Sequence, residues 1–156
     1  MRTLPTDLPI YMSSKGLVCG PRRSRLKGEG QPMTTTILGG CACGAVRYSG
    51  QAFDAVPFRC YCRDCQRATG TGHADMMPLD KASFSVKGDL REFQLTGGSG
   101  KPTWSTFCPE CGSPITRRSA RMSDRLYVHA GSLDDPTLYA PGKEIYTDSA
   151  PHWDRE

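Results

Sequence analysis

The stretch FRCYCRDCQRATG, residues 58–70, carries three cysteines within six positions. Thiols this close in sequence can converge on one metal ion, and zinc takes sulfur ligands at about 2.3 Å in a tetrahedron. The spacing therefore predicts a metal cluster that supplies three of four ligands. The cluster consists of Cys60, Cys62 and Cys65.

Four further cysteines lie in two short turns. GGCACGA (39–45) has glycines on both sides of its pair, and FCPECGS (107–113) has a proline between its two cysteines. Proline bends the chain and glycine accepts positive φ, so both turns favour close folding around a metal. Disulfides are disfavoured, because a bridge between residues two apart is strained and an intracellular compartment keeps thiols reduced. The four cysteines are Cys41, Cys43, Cys108 and Cys111.

Seven clustered thiolates divide into a set of four and a set of three, and the spacing permits two partitions. In one, Cys62 and Cys65 join the 108/111 pair in a ribbon of two C-x-x-C knuckles. In the other, the pairs 41/43 and 108/111 close one site and the 60/62/65 cluster forms a second. Local geometry favours the second partition, because a contiguous C-x-C-x-x-C can wrap one ion alone. Either way two zinc ions per chain are expected, one in a closed structural site and one in an open site of catalytic type.

Most of the remaining pattern is typical of strands. Short alternating or β-branched runs are separated by Gly, Pro and Asp turns, which predicts a small, mainly β domain. The predicted strands are 45–49, 82–88, 91–96, 102–107 and 125–131. One short helix is expected at RDCQRAT (63–69), ended by Gly70. The segment 134–144, with two prolines and a glycine, is predicted to be an irregular surface excursion.

Charge is distributed unevenly along the chain. Residues 1–32 mix Pro, Gly, Ser and Arg without periodicity, carry a net charge of +4 and are predicted to be a disordered extension; the folded domain is expected at 33–156. That domain has no net formal charge, and binding of two zinc ions by seven thiolates would bring its net charge to −3. A negative net charge does not favour binding to nucleic acid. No apolar run is long enough for a membrane span and no secretory signal is present, so a soluble, cytoplasmic protein is expected.

Four motifs in order carry a family resemblance: GGCACGAVRY, CYCRDCQRATG, FCPECGSPI and VHAGSLDDPTLYAPGKEIYTDSAPHW. Over about residues 34–153 the chain resembles the glutathione-dependent formaldehyde-activating enzyme family, which also includes centromere protein V. The resemblance implies small twisted sheets in a zinc-stabilised, β-sandwich-like domain. It also implies that the 41/43/108/111 set is the structural zinc site and the 60/62/65 set the open, catalytic one.

The activity implied by the resemblance is the addition of glutathione, or another small thiol, to formaldehyde. The product is S-hydroxymethylglutathione, and the reaction is that of a carbon–sulfur lyase run in reverse. Arg63 and Arg67 are candidates for binding the glutathione carboxylates, because guanidinium groups match that planar geometry. Thr69 and Gly70 are candidates for the pocket wall, and His73 for the fourth ligand of the open zinc. The alternative function is a non-catalytic zinc-binding interaction module on the same fold.

Overall fold

The computed structural model describes residues 35–155, so the predicted extension 1–32 and the domain boundary at residue 33 lie outside the described residues. Ten strands and one α-helix occur within this range. The strands are β1 (Thr36–Gly40), β2 (Arg47–Gln51), β3 (Phe58–Cys60), β4 (Ala74–Asp80), β5 (Ser85–Lys87), β6 (Arg91–Thr96), β7 (Pro102–Phe107), β8 (Pro114–Ser119), β9 (Met122–His129) and β10 (Lys143–Ile145). The helix, α1, spans Arg63–Thr69.

The strands form two sheets. The smaller sheet is antiparallel, in the order β1-β2-β5. The larger has seven strands in the order β10-β3-β4-β9-β8-β7-β6, and every neighbouring pair is antiparallel except β10 with β3. This arrangement confirms the prediction of a mainly β domain with one short helix, and the number of sheets is two.

The main hydrophobic core lies between the two sheets. The small sheet contributes Ile37 and Tyr48, and the large sheet contributes Leu79 and Val128, all at most 4% exposed. Burial of such side chains stabilises the fold by about 1.5–3 kcal/mol each. The two sheets are therefore held face to face mainly by apolar packing, as in a sandwich.

The opposite face of the large sheet carries a second, smaller cluster beneath α1. Cys60, Cys65 and Met76 are buried there, and Tyr127 packs against them. The helix is anchored by Gln66, whose buried amide donates to the backbone oxygens of Tyr61 and Ser149 at 2.6 and 2.9 Å. We call this side of the large sheet the cavity face.

A β-bulge at Ile115 changes which side chains of β8 reach each face. Thr106 of β7 lies opposite Thr116, but Phe107 lies opposite Pro114, so Ile115 is an extra residue on β8. A bulge of this kind bends the strand and re-aims the side chains that follow it. Ile115 packs into the main core, and Arg117, two residues later, joins its register partner Tyr127 on the cavity face.

The elements predicted from local pattern agree best where the pattern is strongest. The bounds of α1, β6 and β7 are those expected, and the strands predicted at 45–49, 82–88 and 125–131 correspond to β2, β5 and β9 with shifted ends. The expectation for 134–144 was wrong at its end, because Lys143 begins β10, which pairs with β3. Among the described residues, no helix is long and apolar enough to cross a membrane.

Candidate metal centres and the adjoining cavity

The first cysteine cluster joins two turns that are far apart in sequence. The sulfur atoms of its four cysteines all lie within 4.8 Å of one another. The Cys41 and Cys43 sulfurs are 3.4 Å apart, and those of Cys43 and Cys108 are 3.8 Å apart. Sulfur atoms at the corners of a zinc tetrahedron stand about 3.8 Å apart, so the set fits a closed four-sulfur site. The members of this four-cysteine cluster are Cys41, Cys43, Cys108 and Cys111.

Both turns of this cluster owe their shape to a glycine directly after the second cysteine. Gly44 has φ 79° and Gly112 has φ 73°, a backbone region that side chains with a Cβ rarely occupy. The amide of Gly112 donates to the Cys108 carbonyl at 2.9 Å, and the Cys41 sulfur accepts from the Val46 amide at 3.1 Å. Local backbone geometry therefore directs the sulfurs inward.

The second cluster is local in sequence and sits where β3 meets α1. Cys60 ends β3, Cys62 is the N-cap of α1, and Cys65 lies in its first turn. Their sulfurs lie within 4.8 Å of one another, and the Cys62 sulfur accepts a hydrogen bond from the Cys65 amide at 3.4 Å. Cys60 and Cys65 are buried, whereas Cys62 is only partly covered. This three-cysteine cluster therefore has an accessible side.

The three thiols strongly influence one another's ionisation. Hydrogen bonds from Cys60 and then Cys65 lower the pKa of Cys62. The contact with the Cys62 sulfur raises the pKa of Cys60 to about 11, and contacts with Cys60 and Cys62 raise the pKa of Cys65. One thiolate is thus stabilised at the expense of its neighbours. Full ionisation of all three needs a cation between them, which is what metal ligation supplies.

A cavity of about 240 Å³ adjoins the three-cysteine cluster on the cavity face. All three sulfur residues border it. Its other walls come from β3, β4, β7, β8, β9, β10 and the β6–β7 turn. They include the apolar or aromatic side chains Phe58, Met76, Tyr127, Ile145 and Tyr146, and the arginines Arg117, Arg118 and Arg121. The site therefore combines sulfur ligands, an apolar wall and positive charge.

The residues of α1 that the sequence suggested for substrate binding lie elsewhere. Arg63 is exposed and donates to the Gln66 side chain, and Arg67 borders a different cavity beside Phe93. The Thr69 hydroxyl donates to the carbonyls of Cys65 and His73, at 3.0 and 2.7 Å, and Gly70 ends the helix with φ 71°. The structure does not bring these four residues to the wall of the 240 Å³ cavity.

The side chain of His73 is engaged by carboxylates. Its Nδ1 lies 2.5 Å from Asp154 and its Nε2 lies 3.4 Å from Asp75, and its ring packs edge-on against Tyr61. It is not among the groups that converge with the three sulfurs in the described part of the chain. Among the described residues, this cluster thus offers a metal ion three protein ligands, all of them cysteines.

Arg117 is the functional candidate that the sequence analysis missed. It sits in β8, a strand that was not expected from the pattern PITRRS (114–119), and the bulge at Ile115 then inverts the alternation of its faces. In a regular strand, residues two apart lie on the same face, so the sequence alone would have placed Arg117 on the same face as Ile115. The usable signal was an arginine close after a cysteine knuckle within a strand-like run.

Comparison with known proteins adds the family to this geometry. The model for the family described as glutathione-dependent formaldehyde-activating enzyme matches residues 36–149. The chain belongs to this family. The match spans both cysteine clusters and the wall of the cavity, and it confirms the resemblance inferred from the four motifs.

A solved structure supports the fold of this family member. A crystal structure of a Rhodobacter sphaeroides protein is similar at 23% sequence identity and a TM-score of 0.56, covering 69% of this chain and 99% of that chain. The comparison with curated proteins found no significant match. At this identity the solved structure bears on the architecture alone.

Proposed function

We propose that this protein binds a small thiol such as glutathione at a zinc ion held by Cys60, Cys62 and Cys65, and condenses it with formaldehyde. The observation that carries the proposal is the cluster itself: three sulfurs within 4.8 Å of one another border a cavity. Membership of the glutathione-dependent formaldehyde-activating family supports the same reaction. The direction of synthesis is the reverse of a carbon–sulfur lyase.

The donor set of this cluster suits zinc. Thiolate sulfur is a soft ligand, and three protein ligands with one exchangeable position are the usual arrangement of a catalytic zinc. When bound there, zinc would lower the pKa of a substrate thiol and hold it as a thiolate. A second zinc, in the four-cysteine cluster, would have a structural role because all four positions are filled by protein sulfur.

The chain's own residues orient the reactants. The apolar wall formed by Phe58, Met76 and Tyr127 limits access of water to the sulfurs. A substrate thiolate attacks the formaldehyde carbon, a C–S bond forms, and the C=O π pair moves to oxygen, which takes up a proton. The product is the S-hydroxymethyl adduct of the thiol, a hemithioacetal, and the contribution expected of the protein is mainly positioning.

Metal analysis combined with a glutathione titration tests the binding part of the proposal. We expect two zinc ions per chain in the wild type and one in C62S, with glutathione perturbing the metal site only in the wild type. A cobalt-substituted protein provides the readout, because its absorption spectrum changes when a new sulfur ligand enters. One zinc per wild-type chain and no response to glutathione would refute an open thiol-binding site.

Turnover needs a separate measurement, because glutathione and formaldehyde also combine without a catalyst. We expect free formaldehyde to disappear faster with the wild-type protein than without protein, and C62S to return the rate to the uncatalysed value. A wild-type rate equal to the uncatalysed one would contradict catalysis and leave the non-catalytic zinc-binding module as the function.

A further inference from the structure

Arg117 is a buried cation without an anionic partner among the described residues. The residue is 9% exposed, and its Nη1 atom has no hydrogen-bond partner within residues 35–155. No carboxylate of this range lies within salt-bridge distance of its guanidinium, although five other arginine–carboxylate pairs occur there. A guanidinium stays protonated in proteins, so its burial is unfavourable unless an anion approaches it.

The position of Arg117 connects it to the proposed thiol site. It borders the cavity that the three-cysteine cluster adjoins, so its guanidinium and the three sulfur residues line one space. Its neighbour across the strand pair, Ser105, has a buried hydroxyl that also lacks a partner in the described part of the chain. Two unsatisfied polar side chains thus stand side by side on the cavity face.

The charges around this cavity favour an anionic ligand. Asp64 is the only acidic residue in its wall as described, against three arginines. Arg118 is already engaged, because it pairs with Glu92 at 2.9 Å and stacks over Trp104. Arg121 is exposed to solvent. Of the three arginines in this wall, Arg117 is therefore the one that is buried and has no carboxylate partner among the described residues.

We propose that Arg117 binds a carboxylate of the thiol substrate, so that the site selects carboxylate-bearing thiols such as glutathione over neutral ones. The inference rests on the proposed function for the identity of the ligand as a thiol. The guanidinium offers a planar pair of donors that matches a carboxylate, while the sulfur of the same ligand reaches the three-cysteine cluster. Arg117 thereby acts as a binding residue, not as a proton donor or acceptor.

Calorimetric binding to two matched ligands tests this role. Glutathione carries free carboxylates, and its diethyl ester has the same thiol without them. We expect R117M to weaken glutathione binding by about 10- to 100-fold, as for loss of a charged hydrogen bond, and to leave diethyl-ester binding within about twofold. The control is R125M, which removes an arginine of β9 that pairs with Asp124 and lies outside this cavity wall, and which should bind glutathione nearly as the wild type does.

Two outcomes would overturn the inference. Equal weakening of glutathione and its diethyl ester would show that Arg117 only supports the fold or the sulfur cluster. Unchanged glutathione binding by R117M would show that the carboxylate contacts something else. If R117M does not fold, R117K takes its place, because lysine keeps the positive charge but lacks the planar pair of donors. Its affinity for glutathione should then be lower than that of the wild type. An affinity equal to that of the wild type would again overturn the inference.

S-methylglutathione separates this inference from the proposed function. It carries both carboxylates but no free thiol, so its binding does not depend on a sulfur–metal contact. We expect the wild type to bind S-methylglutathione and R117M to bind it about tenfold or more weakly. This result would support the carboxylate contact even if the metal analysis shows no open thiol-binding site. Absence of any S-methylglutathione binding, or equal binding by wild type and R117M, would count against Arg117.

Discussion

His129 is a buried histidine whose environment favours its neutral form. It is 5% exposed, and burial, followed by the charge of Arg117, lowers its pKa to about 4. The unfolded chain has the ordinary value of about 6.5 and takes up a proton first as the pH falls. The stabilising contribution is therefore fully present above pH 6.5 and is lost as the pH falls toward 4.

We expect this histidine to make the protein sensitive to mild acid. Between pH 7 and pH 5 the wild type should lose about 2 kcal/mol of unfolding free energy through His129, and H129Q should lack that part of the decline. Urea unfolding at both pH values measures this loss for each protein. The loss in the wild type is compared with the loss in H129Q, because the titration of the cysteines contributes equally to both. Parallel pH profiles would be inconsistent with a neutral, buried His129.

Single residues differ in how far the sequence identified them. The seven clustered cysteines were recognisable because thiols two or three residues apart have few other uses in a reduced compartment. The structure groups them as the partition that local geometry favoured, with four and three sulfurs together. Arg117 was not recognisable, because its burial depends on one bulge and on strands that are distant in sequence.

The β7–β8 pair holds its bulge through two buried threonines. Thr106 Oγ1 lies 2.7 Å from Thr116 Oγ1 and also accepts from the Thr116 amide at 3.2 Å. T106V therefore leaves a buried backbone N–H unsatisfied, and it should cost about 1–3 kcal/mol of unfolding free energy. T116V keeps the contact between that amide and Thr106, so its cost should be smaller.

Thermal and urea unfolding of the two valine variants measures this difference, and the double variant shows whether the two threonines act together. We expect the combined loss to be less than the sum of the single losses, because both variants break one shared contact. If T116V is as damaging as T106V, the bulge does not depend on the hydroxyl of Thr106.

Strands with a clear local pattern were predictable, and those shaped by their neighbours were not. β4 was missed because Pro78 lies inside it, and proline is rare in central strands. The structure explains the exception: β3 pairs only with Ala74–Met76, and the Pro78 carbonyl accepts from the Phe53 amide at 3.1 Å. The nitrogen of Pro78 points to that same side, away from β9, so no hydrogen bond of the β4–β9 ladder is lost.

We expect the two cysteine clusters, when each holds a metal ion, to contribute differently to the stability of the molecule. The contact between Cys43 and Cys108 spans 65 residues and ties the turn after β1 to the turn after β7. The three-cysteine cluster spans only the junction of β3 and α1. By analogy with cross-link entropy, closing a 65-residue loop is worth about 4 kcal/mol and closing one of five residues about 2 kcal/mol.

We therefore expect C43S to lower the unfolding temperature of the zinc-loaded protein more than C62S does. Serine at position 62 also preserves the helix cap, since hydroxyls cap helices well, which limits the damage of that variant. Differential scanning calorimetry of both variants with metal analysis checks the order. Equal losses, or a larger loss for C62S, would mean that the long loop is held by packing and not by the sulfurs.

The order of strands in the large sheet was beyond the reach of local pattern. β4 lies between β3 and β9, and β10 returns to the edge beside β3, so neighbours in the sheet are separated by up to some eighty residues of chain. The strand-like runs predicted the mainly β class of the fold, and the cysteine spacing predicted that the thiols gather in clusters of four and three. The cavity wall could not be predicted, because it is assembled from six strands and a turn that only tertiary packing brings together.

The bulge at Ile115 lets β8 carry one more core residue than a regular strand of the same span would. Five residues separate Cys111 from Arg117, and one of them is the extra residue of β8. Without that residue the ladder would be regular, with Thr116 still opposite Thr106 and Arg117 still opposite Ser105, so the guanidinium would keep its face of the sheet. What a deletion would remove is the fully buried Ile115 side chain. The bulge thus adds an apolar side chain to the core without turning Arg117 away from the cavity.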